Sequence, residues 1–249
     1  MNPERFLPLI DICPPLSQLS LEARRRLATV SREVEFEAGE RMISAFRPKR
    51  RILILLEGWA KLIGITEDGI ERILYVYGPC EIIGSRFLLE DSPESSYDVV
   101  AMEKAHALEI SRDDFLAVAE DHPEVTDAVT GVLLERVDKV SSWLLAAMSV
   151  DASLRLTKLL LDLADTEHSS EGGFVPLRLS PTHETLAQII GTTRPHTTTL
   201  LGALEEEGVI RRVHPRGILV RPSGLEQKLR DADIRPEEKG RGSGGSRRP

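Results

Sequence analysis

Along the first half of the chain the apolar positions come in short runs; beyond Pro123 they step by three and four. After a Pro-rich lead, Leu21–Ser31 reads as a short helix, and from Glu33 onward the pattern changes to strands. Ile52–Leu56 is a compact apolar run ended by Glu57-Gly58. Trp59–Thr66 alternates loosely, and Glu67-Asp68-Gly69 predicts a hairpin turn, because Asp-Gly supplies the positive φ that such a turn requires. Ile70–Tyr77 follows as the partner strand, stopped by Gly78-Pro79. Tyr97–Ala101 and His106–Ser111 complete a series of short strands, which is the habit of an antiparallel sandwich, barrel or roll.

From Glu124 to about Met148 there is no proline, and Leu133, Val137, Val140, Leu144 and Ala147 step by four, three, four and three. That spacing is a heptad-like seam. It fits either an amphipathic helix packed on its own domain or a helix that pairs with a second copy. A helix longer than the usual ~11–12 residues favours the second. Asp151 can cap a further helix through Ala164, Thr166–Gly173 is a polar loop, and Phe174–Leu179 is a short strand.

Two helices are then predicted, Thr182–Ile190 and Arg194–Glu207, separated by Gly191-Thr192-Thr193, with Gly208 ending the second. Val209–Val213 and Ile218–Arg221 form a small hairpin around Pro215-Arg216-Gly217. A helix-turn-helix needs a small residue where its first helix faces the second and a glycine to turn between them. Ala187 and Gly191 meet those needs, and Leu186, Ile190, Leu200, Leu201 and Leu204 supply the apolar faces. Arg194, His196, Thr197 and Thr198 are then expected to point outward near the start of the second helix, where a recognition helix meets base edges. Arg194 could pair bidentately with guanine, and the threonines suit phosphates or thymine methyls. Pro195 is tolerated in a first helical turn. The same pattern occurs in αα-hairpins of enzymes. The strand before it and the basic hairpin after it favour a winged helix-turn-helix. Thr182, Thr192, Thr193 and Arg216 complete the expected DNA-binding set.

Of the 249 residues, 41% are apolar and 29% charged, ordinary values for a globular protein. No apolar run approaches the ~20 residues of a membrane helix, and Met-Asn-Pro-Glu-Arg-Phe lacks the flank of a signal peptide, so a cytoplasmic location is expected. The net charge of −8 is unusual for a DNA binder, but Gly208–Arg221 carries Arg211, Arg212, Arg216 and Arg221 and no acid. Acids gather instead in Glu33–Glu40, Glu90–Glu94 and Glu205–Glu207. The only two cysteines, Cys13 and Cys80, cannot ligate a structural zinc or an iron–sulfur cluster; they are expected to stay reduced, with a redox role for one of them open. No paired catalytic carboxylates, phosphate loop, metal-spaced histidines or nucleophile elbow are visible, and His183, His196 and His214 fall in the DNA-binding region. Neither enzymatic activity nor a resident cofactor or metal is expected.

The order of elements resembles the cAMP receptor/FNR (CRP/FNR) family of transcription regulators over about residues 15–225. The matching segments are EAGERMI at Glu37–Ile43, LLEGWAKL at Leu55–Leu62, EDGIERIL at Glu67–Leu74, GPCEIIG at Gly78–Gly84, LEISRDDF at Leu108–Phe115 and the helix-turn-helix. The resemblance implies an α+β chain with a cyclic-nucleotide-binding-like β-roll (jelly roll) sensor at 15–122, a dimerisation helix at 123–149 and a winged helix-turn-helix at 150–225; a disordered tail follows at 235–249. It also implies a homodimer on a palindromic site in double-stranded DNA, contact with RNA polymerase, and no membrane partner.

The departures from the family pattern matter as much. In cAMP-binding members a Glu holds the ribose and an Arg–Ser pair neutralises the cyclic phosphate; Ser85 and Ser95-Ser96 stand at those positions here. Losing one charge-assisted contact of ~1.5–3 kcal/mol costs at least tenfold in affinity. The adenine-contacting Thr–Ser of the long helix is Val140-Ser141. Cyclic AMP is therefore not the expected effector. Cys80, with His106 as the next histidine, makes a poor haem site. Arg72, Gly84 and Arg86 remain as anchors for another anionic ligand such as a cyclic dinucleotide, or the roll binds nothing. In the recognition helix, Pro195 replaces the family's Glu and Thr199 its second Arg, so a half-site unlike the common TGTGA-like one is expected. The competing expectation is a cyclic-nucleotide-responsive regulatory subunit of a partner enzyme.

Overall fold

In the computed structural model the strands of the N-terminal half, eight among the described residues, pair into two antiparallel sheets. They are β1 (Arg32–Phe36), β2 (Arg41–Ile43), β3 (Arg51–Glu57), β4 (Ala60–Ile65), β5 (Glu71–Tyr77), β6 (Ile82–Ile83), β7 (Tyr97–Ala101) and β8 (Ala105–Ser111). One sheet runs β1-β8-β3-β6 and the other β2-β7-β4-β5. The structure describes residues 5–45, 50–67, 69, 71–89, 97–148, 151–166, 171–213 and 217–234. Asp68 of the predicted hairpin turn, Ser95, Ser96, Arg216 and the 235–249 tail lie outside them, as does the Ala147 side chain.

The uninterrupted apolar run of β3 has a direct cause: both faces of the strand are covered. Ile52, Ile54 and Leu56 pack with Leu108, Ile110, Phe115 and Val125 against helices, while Leu53 and Leu55 look into the roll with Ala105, Ala107, Tyr75 and Tyr77. On β5 only one face is covered. Ile73, Tyr75 and Tyr77 are buried, and Arg72 and Leu74 are exposed on the other side. The sheets are pinned by a buried acid, since Glu109 on β8 accepts from Arg32 and Arg51. Burial opposes the charge of Glu109, yet the two guanidiniums outweigh it and hold the carboxyl below its usual range.

Helices cover the outer face of the first sheet. Besides the expected α3 (Leu21–Val30), the Pro-rich lead forms two short helices, α1 (Leu7–Asp11) and α2 (Pro14–Ser17). A further helix that the pattern did not announce, α4 (Arg112–Asp121), starts where Ser111 accepts from the Asp114 backbone N–H. It buries Phe115 and Val118. The long helix α5 spans Glu124–Met148 and packs on this core through Val125, Val129 and Val132. Contacts divide the chain into two units, Met1–Ser141 and Ser142–Pro249, so the division falls inside α5.

In the second unit Asp151 caps α6 (Ala152–Asp162), its carboxylate accepting from Ser153 N–H at 2.8 Å. The elements that follow are β9 (Val175–Pro176), α7 (His183–Ile190), α8 (Arg194–Glu206), β10 (Ile210–Val213), β11 (Gly217–Val220) and α9 (Pro222–Ile234). The three strands form one sheet in the order β10-β11-β9. The strand expected at Phe174–Leu179 is shorter, because Asp165 and Arg178 pair with Pro176 and Leu163 around the end of α6. Beyond the expected hairpin, Leu225 is fully buried and α9 continues to Ile234. Among the described residues no helix is long and apolar enough to cross a membrane.

Candidate nucleic-acid interface

The α7–turn–α8 pair is set by its own local chemistry. Thr182 caps α7, its hydroxyl oxygen accepting from Thr185 N–H at 3.1 Å. The helix ends at Gly191, whose φ of +67° only glycine adopts readily, and Thr192 N–H returns to the Ala187 carbonyl at 2.9 Å. Thr193 then caps α8, with Pro195 in its first turn. Leu186, Ala187, Ile190, Leu201 and Leu204 are all buried and lock the two helices together. Arg155 of α6 donates from Nε to the Ile190 carbonyl at 2.8 Å, so a cation satisfies the negative end of α7.

Most of the expected contact residues lie on the surface. Thr182, Thr193, Arg194, His196 and Thr198 are exposed and Thr192 is half-buried. Thr197 is the correction. It is fully buried, and its hydroxyl donates to the Thr193 carbonyl at 3.1 Å. Helical periodicity explains this: Thr197 shares a face with Leu201 and Leu204, four and seven residues on, and that face is turned to α7. Thr198 donates its hydroxyl proton to the Arg194 carbonyl at 3.0 Å and lies 2.9 Å from His183 Nδ1, so His183 donates through Nδ1–H. That bridge ties the start of α7 to the start of α8.

A groove of about 690 Å³ runs beside this corner, lined by Thr182, His183, Arg194, Arg212, Val213 and Ile218. Two helix N-termini and the wing hairpin thus meet in one concave surface suited to a phosphate backbone. The basic stretch is more engaged than its sequence implies. Arg212 donates from Nε to Glu205 at 2.7 Å, and Glu205 also accepts from the Arg212 backbone N–H at 3.0 Å. The guanidinium holds the Glu205 carboxyl below the usual range. Arg211 and Arg221 both lie over the buried Phe174 ring, at 4.1 and 4.5 Å from its centroid. The pattern along the chain did not flag this cluster, because its members are 37 and 47 positions apart in sequence from Phe174.

In the roll, Gly84, Ser85 and Arg86 sit together at the start of a 3-10 turn, Ser85–Leu88. Gly84 has φ +87°, and a Cβ there would lie 2.5 Å from the Arg51 carbonyl oxygen, so this corner admits only glycine. Arg72 does not join them, since the alternation of β5 directs it to the outer face. Val140 and Ser141 are exposed on α5. The interior is instead built around Tyr75 and Tyr77, whose rings meet edge-on at 4.9 Å. The Arg136 guanidinium of α5 covers both rings, 5.5 and 4.9 Å from their centroids, and donates to the Ile82 carbonyl at 2.7 Å. Glu81 accepts from the Tyr75 hydroxyl at 2.7 Å and from Lys139 at 3.2 Å. Burial first, then the Glu81 carboxylate, keeps the Tyr75 phenol protonated far above its ordinary range.

Comparison with known proteins assigns both halves. Residues 33–122 match the cyclic nucleotide-binding domain and residues 154–228 the Crp-like helix-turn-helix domain. The cyclic AMP receptor protein of Thermus thermophilus is 30% identical over 178 residues, covering 72% of this chain and 78% of that protein. The CRP-like cAMP-activated global transcriptional regulator of Mycobacterium tuberculosis is 26% identical over 178 residues, covering 72% and 79%. A transcriptional regulator of the CRP/FNR family from Thermus thermophilus shares the fold with a TM-score of 0.62 at 23% identity, over 80% of this chain and 98% of that one. The c-di-GMP responsive global regulator CLP of Xanthomonas campestris does so with a TM-score of 0.66 at 19% identity, over 81% and 99%. With a nucleotide-binding-type roll followed by a Crp-like helix-turn-helix, and with these relatives, the chain belongs to the CRP/FNR family of DNA-binding transcription regulators.

Proposed function

We propose that the chain works as a homodimer that reads a two-fold symmetric DNA site with the first turn of α8, and that it does so without cyclic AMP. The observation that carries this reading is the exposed cluster at the start of α8, where Arg194 and His196 stand beside the Thr193 cap at the edge of the groove. Dimerisation is supported by the solvent-facing apolar residues of α5, including Leu134, Val137, Leu144, Leu145 and Met148. A stripe of that kind on a single helix favours association with a like helix. Independence from cyclic AMP is supported by Ser85, which stands where cAMP-binding members carry the ribose-holding Glu.

The protein acts by binding and not by catalysis, in the cytoplasm where its DNA is, and contacts RNA polymerase from the bound site. A regulatory subunit of a partner enzyme is the weaker reading, since it gives the Crp-like helix-turn-helix nothing to do. The test is Arg194→Ala, titrated against the preferred duplex and against duplexes altered one base pair at a time. Binding is expected to weaken by ~1–3 kcal/mol with discrimination relaxed at one position. Equal weakening on every sequence would mean that Arg194 touches only phosphate and would overturn the assignment of base reading to it.

A further inference from the structure

The two cysteines of the chain are 67 positions apart, yet the fold makes them neighbours. Cys13 sits at the N-cap of α2, fully buried in the helical core, and Cys80 packs against that same core from the β5–β6 turn. The Cys80 thiol reaches the carbonyl of Ile12, the residue before Cys13, at 3.6 Å, and Cys80 packs against the same cluster of side chains that buries Cys13. Both are free thiols. They differ in access, because Cys13 is sealed and Cys80 is half-buried. They also differ in charge preference: the neighbouring Cys13 thiol lowers the Cys80 thiol below its usual range, against the effect of burial, while Cys13 is pushed far up.

The position of Cys80 gives the pair a mechanical reach. Cys80 has φ +67°, the one non-glycine among the described residues in the left-handed region. Its neighbour Glu81 is held by Lys139 of α5, and the Ile82 carbonyl by Arg136 of α5. A covalent change at Cys80 therefore acts on the turn that anchors the long helix.

We propose that Cys13 and Cys80 are an oxidisable dithiol, in which a hydroperoxide oxidises Cys80 and Cys13 then closes an intramolecular disulfide that resets the α5 anchor. The Cys80 thiolate attacks one oxygen of hydrogen peroxide, the O–O bond breaks, and the departing hydroxide takes up the proton shed by the thiol as water. The Cys13 sulfur attacks the resulting sulfenic acid, an S–S bond forms, the S–O bond breaks, and hydroxide leaves with the Cys13 proton as a second water. Two thiols and one peroxide thus give one disulfide and two waters, and a cellular dithiol reductant reverses the change. The effect on DNA binding rests on the dimer reading; the chemistry does not.

The experiment treats the reduced full chain with hydrogen peroxide, then blocks remaining thiols and maps peptides without reductant. The expected result is loss of both thiols, a Cys13–Cys80 linked peptide, single-chain mobility on a denaturing gel, and recovery with dithiothreitol. In Cys13→Ala the reaction should stop at a Cys80 sulfenic acid trapped by dimedone, and in Cys80→Ser the thiol of Cys13 should survive the same treatment. Thiols that both remain after excess peroxide, a link between chains, or Cys13 oxidised in Cys80→Ser would each overturn the dithiol. Oxidation should also change DNA affinity by about tenfold, within the usual span of allosteric couplings, and not in Cys80→Ser. A linked peptide with unchanged DNA affinity would overturn the switch while leaving the dimer and its DNA reading intact.

Discussion

Replacing Val137 and Leu144 together with Asp should convert the protein into monomers. In the single chain these side chains are 59% and 61% exposed, on the face of α5 that also carries Leu134, Leu145 and Met148. Full burial of a Val or Leu stabilises by ~1.5–3 kcal/mol, so covering the exposed ~60% is worth roughly 1–2 kcal/mol each. Two positions on each of two protomers contribute about 4–7 kcal/mol, which is ~10³- to 10⁵-fold in the dissociation constant. The buried carboxylates add a further cost that water does not repay. Sedimentation equilibrium across protein concentrations reads the constant directly, and circular dichroism checks that helix content is kept. It should be kept, because neither side chain supports the core of its own chain. A variant that dimerises with the wild-type constant would refute the seam, as would a wild-type protein that is monomeric at micromolar concentration.

Other consequences follow from the charged groups. Glu109→Gln should cost about 3 kcal/mol of stability at neutral pH, as breaking a buried ion pair does, read by chemical denaturation. The folded Glu109 is held below its ordinary pKa, so its contribution is complete above that value and is lost as pH falls through the lower, folded one. The stability curve of the variant should therefore be flatter below about pH 4; an equal loss at every pH would contradict the linkage. Glu205→Gln should release Arg212 toward the groove, tighten DNA binding and steepen the salt dependence by up to about one unit of slope. An unchanged slope in fluorescence anisotropy at several salt concentrations would mean that Arg212 stays off the phosphates.

What the chain revealed before folding was what period and local turn chemistry encode. The apolar run Ile52–Leu56 of β3, the strand after the Asp-Gly turn and the Ala187–Gly191 turn are all legible, because each depends on neighbours within a few residues. The helix α4 was not, since its first turn is Arg112-Asp113-Asp114 and only the Ser111–Asp114 cap marks its start. The cap signature Ser-x-x-Asp would have located it. Arg136 was invisible for another reason. Its partners, Tyr75, Tyr77 and Ile82, come from a different segment and meet it only after the roll closes. Thr197 was misplaced because residues at the start of a recognition helix were expected to face outward as a group. One of them, three residues after Arg194, turns inward with the leucines. The side to which Arg72 points stayed open in the sequence, because register decides to which side of a strand a residue points.

The proposed dimer, with no ligand added, should read a symmetric DNA site through α8. Selection from random duplexes by the purified 249-residue chain, at a stated salt concentration and without cyclic AMP, decides this. The expected result is enrichment of a two-fold symmetric sequence with half-site centres about one helical turn, ~10 base pairs, apart and with half-sites unlike the TGTGA type. Enrichment that appears only when cyclic AMP is added, or of a single unsymmetric site, would contradict it.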